Sequence, residues 1–231
     1  MEYLTKRIVC LANSRKPGGR CVAGKELSST GGIGQWIRPV SKREGQEISS
    51  KERQYENGGY AKLLDIIEIP IIRHCRTGFQ TENILINDEY YWQKVGRIGI
   101  EELCNYCDSD TEILAYINDS TRHGINDRVS ESEAANLSHS LCFVSIDSLS
   151  IIVQDEGFGA PKKKVRAEFE INKNTYSIIV TDTVIESRFK QEEDGYKQNF
   201  SNQIFMCISL ALPFKDTGHC YRLVASIINL P

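Results

Sequence analysis

The sequence predicts a mainly β protein with a minor helical part, arranged as two small antiparallel barrels joined by a helical connector. Two stretches, residues 1–97 and 139–231, each contain about six short apolar runs separated by turn-forming residues. Between them, over residues 98–138, the apolar spacing changes to that of helices. Such units fit Greek-key barrels, and the pattern also allows a sandwich.

The first unit, residues 1–97, starts with a strand followed by a basic segment. Lys6–Leu11 alternates as a strand, and Pro17 with the two glycines after it predicts a loop over Ala12–Arg20. Residues 42–61 are polar and turn-like. The other strands predicted in this unit are Cys21–Leu27, Gln35–Val40, Lys62–Ile72, Asn83–Ile86 and Tyr90–Val95.

The predicted connector, residues 98–138, carries two short helical stripes. Ile100, Leu103, Cys104 and Cys107 form the first stripe, and a second runs over residues 113–117. Residues 118–128 are polar and predict a loop. The Ser-Glu-Ser-Glu sequence of residues 130–133 is a capping box that predicts one more helical turn.

The second unit, residues 139–231, returns to strands. Residues 172–174 predict a hairpin turn, and residues 184–191 predict a helix capped by Asp182 or Thr183. Asp182 has two alternatives to capping: pairing with a basic residue or binding a metal. The predicted strands are Ser140–Ile146, Ser150–Gln154, Lys163–Ile171, Thr175–Thr181, Ile204–Leu210 and Tyr221–Ile228.

Composition predicts a cytoplasmic protein without a membrane partner. The longest apolar runs are well below the roughly 20 residues needed to span a bilayer, and residues 8–12 are too short for a secretory signal. Cys10, Cys142 and Cys207 lie in apolar runs, which favours reduced core thiols. Cys104 and Cys107 form a CxxC pair, for which zinc binding is an alternative, but no second pair accompanies it.

Positive charge is concentrated near the start of the chain. Residues 6–43 contain nine basic residues and one acidic residue, a net charge of +8, whereas the whole chain carries −3 and the remainder therefore −11. This asymmetry indicates a local surface for an anion rather than general phosphate binding. A second basic run, Lys162–Lys164 with Arg166, follows the predicted loop at 157–161. It either extends that surface or protects a strand edge.

The basic segment contains the residues predicted to bind nucleic acid. This segment offers a hydroxyl, an amide and fixed positive charges close to a glycine turn, a combination that suits phosphate binding. The alternative is that the polar side chains only cap the turn and the basic side chains are solvated. Trp36 and Arg38 share one strand face, where an indole can stack on a base, or else Trp36 belongs to the core. The predicted binding residues are Asn13, Ser14, Arg15, Lys16, Arg20, Trp36, Arg38, Lys42 and Lys163.

The residues of both ends resemble a known family. Lys6–Lys16, Gly19–Gly24 and Trp36–Ser41, with a weaker match at Ser209–Phe214 and Cys220–Ile228, are similar to the prokaryotic dual OB-containing domain family. The resemblance implies tandem OB barrels and a nucleic-acid-binding or sensing role, often in bacterial defence. It implies no catalytic residues.

Three functions follow as hypotheses. The first is a nucleic-acid-binding module that senses a single strand, an end or a modified base. The second is a nucleotide sensor or an enzyme acting on a nucleotide or base, although the sequence has no Walker loop, HExxH, paired-carboxylate nuclease motif or nucleophile elbow. The third is a protein-interaction subunit of a larger assembly. No cofactor is indicated.

Overall fold

A computed structural model describes residues 4–117, 119–157 and 160–231. Asn118 of the predicted loop at 118–128, and Phe158 and Gly159 of the predicted loop at 157–161, lie outside the described residues. The chain divides into two compact units, Met1–Tyr106 and Cys107–Pro231. The predicted connector, 98–138, therefore has residues in both units.

The first unit is a closed barrel of five strands with a sixth strand at its edge. The barrel order is β1-β2-β3-β5-β4, and β4 pairs back to β1, which closes the ring. Neighbours are antiparallel except for β3 and β5, which run parallel. The strands are β1 Thr5–Lys16, β2 Gly19–Leu27, β3 Ile33–Val40, β4 Asp65–His74, β5 Asn83–Ile86 and β6 Gln93–Arg97, the last pairing with β4.

Aliphatic side chains from alternate positions of these strands fill the barrel, as the sequence alternation predicted. Ile8, Cys10 and Val22 are completely buried in this core. Burial raises the pKa of Cys10 to about 12, so its thiol stays protonated. A bulge interrupts the β1–β2 pairing between Cys10 and Ala12, and such bulges bend a strand around a small barrel.

The basic segment after the first strand is not a loop, and that prediction was wrong. β1 continues through Lys16, and only Pro17 and Gly18 form the turn into β2. Gly18 has a φ of 82°, in the left-handed region that glycine adopts without steric cost. The turn-forming residues were correctly recognised. Two of them are enough to form the hairpin turn, and the polar residues on either side remain paired as strands.

The segment between the barrels is built from short elements. A 3-10 helix spans Ile100–Tyr106 in the first unit, and another spans Glu112–Leu114 in the second. β7, Arg128–Ser130, leads into the four-residue helix α1, Glu131–Ala134. Both hydrogen bonds of the predicted capping box are present at Ser130, which confirms that prediction.

The second unit repeats the strand order of the first with one difference. Its order is β9-β10-β11-β14-β13-β8, again with one parallel pair, β11 and β14. β8 and β9 are consecutive halves of one interrupted strand, so the ring is continued by the chain at residues 147–148. The strands are β8 Leu141–Ile146, β9 Leu149–Asp155, β10 Lys163–Ile171, β11 Asn174–Val180, β12 Lys197–Phe200, β13 Ile204–Leu210 and β14 His219–Ile228.

Additional elements surround this second ring. β12 pairs with β9, and β7 pairs with β14. The helix α2, Thr183–Phe189, follows β11, and its N-cap is Asp182, whose carboxylate accepts hydrogen bonds from the backbone N–H groups of Val184 and Ile185. Of the three roles considered for Asp182, the structure therefore shows the cap.

Buried arginines organise the second unit. The Arg222 guanidinium donates to four backbone carbonyls, those of Ile113, Tyr116, Asn126 and Arg128. Burial lowers the pKa of Arg222 to about 10. This arginine therefore fixes a segment with little regular structure against β14.

Among the described residues, every helix is too short or too polar to cross a bilayer.

Candidate nucleic-acid interface

The β1–β2 hairpin divides the predicted binding residues between its two faces. Asn13 lies opposite Val22, and Arg15 lies opposite Arg20, so these side chains share the face on which Val22 enters the core. Ser14 and Lys16 lie on the other face. The predicted residues of the hairpin therefore lie on two opposite faces.

Arg20 lies beside an arginine that was absent from the predicted set, Arg53. The backbone of Arg20 exchanges two hydrogen bonds of 2.9 Å with Ile48, and the N–H of Arg53 donates to Ser49 in the same segment. Burial, followed by the positive charge of Arg20, lowers the pKa of Arg53. Two guanidinium groups are thus brought together at one end of the first barrel.

Tyr60 completes this cluster. The guanidinium carbon of Arg53 lies 4.5 Å from the centroid of the Tyr60 ring, a cation–π contact, and Tyr60 is 42% exposed. Asn13 donates from Nδ2 to the carbonyl of Ala61, the next residue, at 2.7 Å. Asn13, Arg20, Arg53 and Tyr60 are called the arginine cluster below.

The opposite face of the hairpin brings Lys16 near Arg38. Burial lowers the pKa of Lys16, and the charge of Arg38 lowers it further, whereas Cys21 and Glu47 act in the opposite direction. Ser14 is almost fully buried on this face. Lys16 is half-buried and contributes positive charge at the edge of the barrel.

Trp36 and Arg38 share a face of β3, as predicted, but both are buried. Arg38 forms an ion pair of 3.1 Å with Glu82, and both side chains are at most 5% exposed. Trp36 is 8% exposed, and the ammonium of Lys25 lies 5.8 Å from its ring centroid. These contacts match the core alternative for Trp36 and provide Arg38 with the partner that a buried charge needs.

Lys42 and Lys163 have contacts with residues outside the arginine cluster. Lys42 is exposed and forms an ion pair of 2.8 Å with Asp88, which raises the pKa of Lys42. Lys163, in the second unit, donates to the backbone carbonyl of Glu192. Arg166 of the same basic run is buried in ion pairs with Asp127 and Glu156, so it adds no surface charge.

The strand order and a sequence comparison agree on the family. In the first unit, five strands close in the order 1-2-3-5-4-1 with one parallel pair, and the second unit repeats the order. The sequence model of the dual OB-containing domain matches residues 6–227. This chain belongs to the dual OB-containing domain family.

Other comparisons add little to this assignment. No curated protein matches the dual OB-containing domain described here. The structure of a murine DNA-binding protein bound with double-stranded DNA aligns over 100% of both chains, at 10% identity and a TM-score of 0.31. A score this low carries no argument about function.

Two other groups of this dual OB-containing domain have metal-ligand chemistry. Cys104 is exposed and Cys107 is half-buried. Asp110, Glu112 and His139 place their ligand atoms within 4.8 Å of one another, and Ser138 already donates to Glu112 through both its hydroxyl and its backbone N–H. His139 therefore lies with two carboxylates.

Sequence reasoning missed Arg53 and Tyr60. Both lie in the polar segment 42–61, where one arginine among many charged residues gives no distinguishing signal. The two consecutive glycines before Tyr60 were the only sequence signal for a turn at this point. In the structure Gly58 and Gly59 both have positive φ and reverse the chain, so that Tyr60 pairs with Gln54.

Proposed function

We propose that this dual OB-containing domain binds single-stranded nucleic acid at the hairpin end of its first barrel. The observation that carries the proposal is the pair Arg20 and Arg53. Within the described part of the chain, neither guanidinium has an ion pair or a hydrogen bond to a side chain or carbonyl. Unneutralised arginines beside an aromatic ring suit a strand whose phosphates and bases are both accessible.

Neighbouring residues support the same surface. Arg15 is exposed on the face of Arg20, and Lys16 lies at the turn. Arg38 is paired with Glu82 and Trp36 lies beside Lys25, so we assign both residues to the stability of the barrel rather than to direct contact with a strand. Sensing of a modified base and a role in prokaryotic defence stay predictions.

The test is fluorescence anisotropy with labelled single-stranded and duplex DNA and RNA at several salt concentrations. We expect Arg15→Gln and Arg20→Gln each to weaken single-strand binding about tenfold, because each removes a charge-assisted contact of about 1.5 kcal/mol. Arg188→Gln is the control, since Arg188 is an exposed arginine of the second unit.

Three results would contradict the proposal. Absence of binding at low salt would remove it, and a stoichiometric protein partner recovered without nucleic acid would favour the interaction-subunit hypothesis instead. Equal losses in the Arg15, Arg20 and Arg188 variants would show that binding is not located at the hairpin.

A further inference from the structure

The arginine cluster contains the one buried arginine of the described residues whose guanidinium lacks an oxygen partner. Four arginines are buried, and three have such partners: Arg38 pairs with Glu82, Arg166 with two carboxylates, and Arg222 with backbone carbonyls. Arg53 is 9% exposed, and its Nε is buried without a hydrogen-bond partner. Leaving a guanidinium uncompensated in this way is costly, so the site is suited to an anion that comes from outside.

Charge indicates which anion fits. The positive charge of Arg20 acts on Arg53, and among the described residues no carboxylate forms an ion pair with Arg53. Two adjacent guanidinium groups supply a charge of +2. A phosphate monoester carries about −1.5 to −2 at neutral pH, whereas the phosphodiester inside a strand carries only −1. The pair therefore matches a monoester better than an internal phosphate.

Access favours the same ligand. Only 9% of Arg53 is exposed, so a ligand can approach its guanidinium from few directions. An internal phosphate is attached to nucleotides on both sides, whereas a terminal phosphate has one attachment and can enter end first. The guanidinium fork then donates two parallel hydrogen bonds to its oxygens.

The other two residues of the cluster suit a nucleoside. Tyr60 is 42% exposed and is held by its pairing with Gln54, which makes it available for stacking with a base. Asn13 Oδ1 is buried without a hydrogen-bond donor. An ionised phosphate cannot supply a donor, but a ribose hydroxyl or a base amino group can.

We propose that Arg20 and Arg53 bind a phosphate monoester attached to a nucleoside, with Tyr60 stacking on the base and Asn13 accepting a hydrogen bond from the sugar or base. The source is the phosphorylated end of a strand or a mononucleotide. This inference rests on the proposed function for its location and names the part of the strand that is recognised.

The experiment compares internally labelled 12-mers that carry a 5′-phosphate, a 3′-phosphate or only hydroxyl ends, together with nucleoside monophosphates, nucleosides and inorganic phosphate as competitors. We expect one phosphorylated end to bind at least tenfold more tightly than the hydroxyl ends. Arg53→Gln should abolish that preference, and Tyr60→Leu should weaken all oligonucleotides while keeping it. Lys51→Gln is the matched control, because Lys51 is exposed two residues away.

A separate measurement checks that Arg53 is not simply structural. Because its charge is buried without a counterion, Arg53→Met should leave the Tm of the free protein unchanged or raise it. A Tm that falls would assign Arg53 to the fold and overturn the inference.

The remaining outcomes separate the inference from the proposed function. Equal affinity for phosphorylated and hydroxyl ends would overturn the inference while leaving single-strand binding intact. Binding of nucleoside monophosphates alone, lost in Arg53→Gln, would support the inference with a mononucleotide as the source and contradict strand binding. Binding of neither overturns both.

Discussion

A buried arginine at residue scale has several possible roles, and its neighbours distinguish them. Arg166 and Arg38 form ion pairs with carboxylates. Arg222 donates hydrogen bonds to backbone carbonyls, and Arg53 stacks on a tyrosine. A guanidinium offers five donors in a fixed fork, so the same side chain serves an ion pair, a loop anchor or a ligand site.

The Arg38–Glu82 pair gives a prediction about stability. Arg38→Met leaves the Glu82 carboxylate buried without its counterion, so we expect the free energy of unfolding to fall by about 3–5 kcal/mol. Urea denaturation followed by circular dichroism measures it. The double variant Arg38→Met with Glu82→Leu should recover much of the loss. If single-strand affinity fell in Arg38→Met while stability did not, Arg38 would return to the binding surface.

The sequence was sufficient to locate the charged hairpin. It was not sufficient to separate residues that could contact a ligand from residues that stabilise the barrel. Arg15, Lys16 and Arg20 were selected because basic residues cluster around a turn, and the structure places them at that turn. Trp36 and Arg38 were selected because they share a strand face. Alternation shows which residues share a face, but it does not show whether the outer face of a barrel is covered.

At the scale of elements, the arginine cluster depends on a close approach between β2 and the segment that carries Arg53. A Cβ placed on Gly19 would lie 2.4 Å from the carbonyl oxygen of Ile48. Ile48 is paired with Arg20, and Arg53 follows in the same segment. Glycine at position 19 therefore allows the two arginines to meet.

This geometry predicts that Gly19→Ala and Gly24→Ala differ in their effect on single-strand binding. A Cβ on Gly24 would clash with the Val9 carbonyl at 1.9 Å inside the barrel, so both variants should lose about 1–3 kcal/mol of stability. Gly19→Ala should also weaken single-strand binding about tenfold, because it displaces the segment of Arg53. Anisotropy at a temperature where both are folded makes the comparison. Equal affinities in the two variants would show that this approach does not position the site.

The strands were the most predictable elements, and their failures have physical causes. Asn83–Ile86 and Ile204–Leu210 were predicted with the observed bounds, since continuous apolar runs are typical of buried strands. β12, with the sequence Lys-Gln-Asn-Phe, has no alternating apolar residues and was missed. The polar end of β1 was missed for the same reason, because its hydrogen bonds come from pairing rather than from burial.

At the scale of the whole molecule, charge limits how the protein can bind. The net charge of −3 leaves little attraction for nucleic acid outside residues 6–43 and the adjoining Arg53. If about three phosphates are contacted, the logarithm of the association constant should fall with the logarithm of salt concentration at a slope of about −2 for a single strand.

Anisotropy titrations at 50–300 mM salt measure this slope, and Arg20→Gln should reduce its magnitude by about 0.7, one phosphate contact. A slope several times steeper would indicate a much larger charged surface than the hairpin.

The position of Arg222 on β14 affects how the protein can form during synthesis. Every strand of the first barrel has been made once residue 86 is linked, but the carbonyls of residues 113–128 find their arginine only when β14 emerges, about a hundred residues later. Until then the second unit lacks both the strand that pairs with β11 and the anchor of its leading segment. A growing chain therefore exposes an incomplete second sheet on the ribosome while its first barrel already has all its strands.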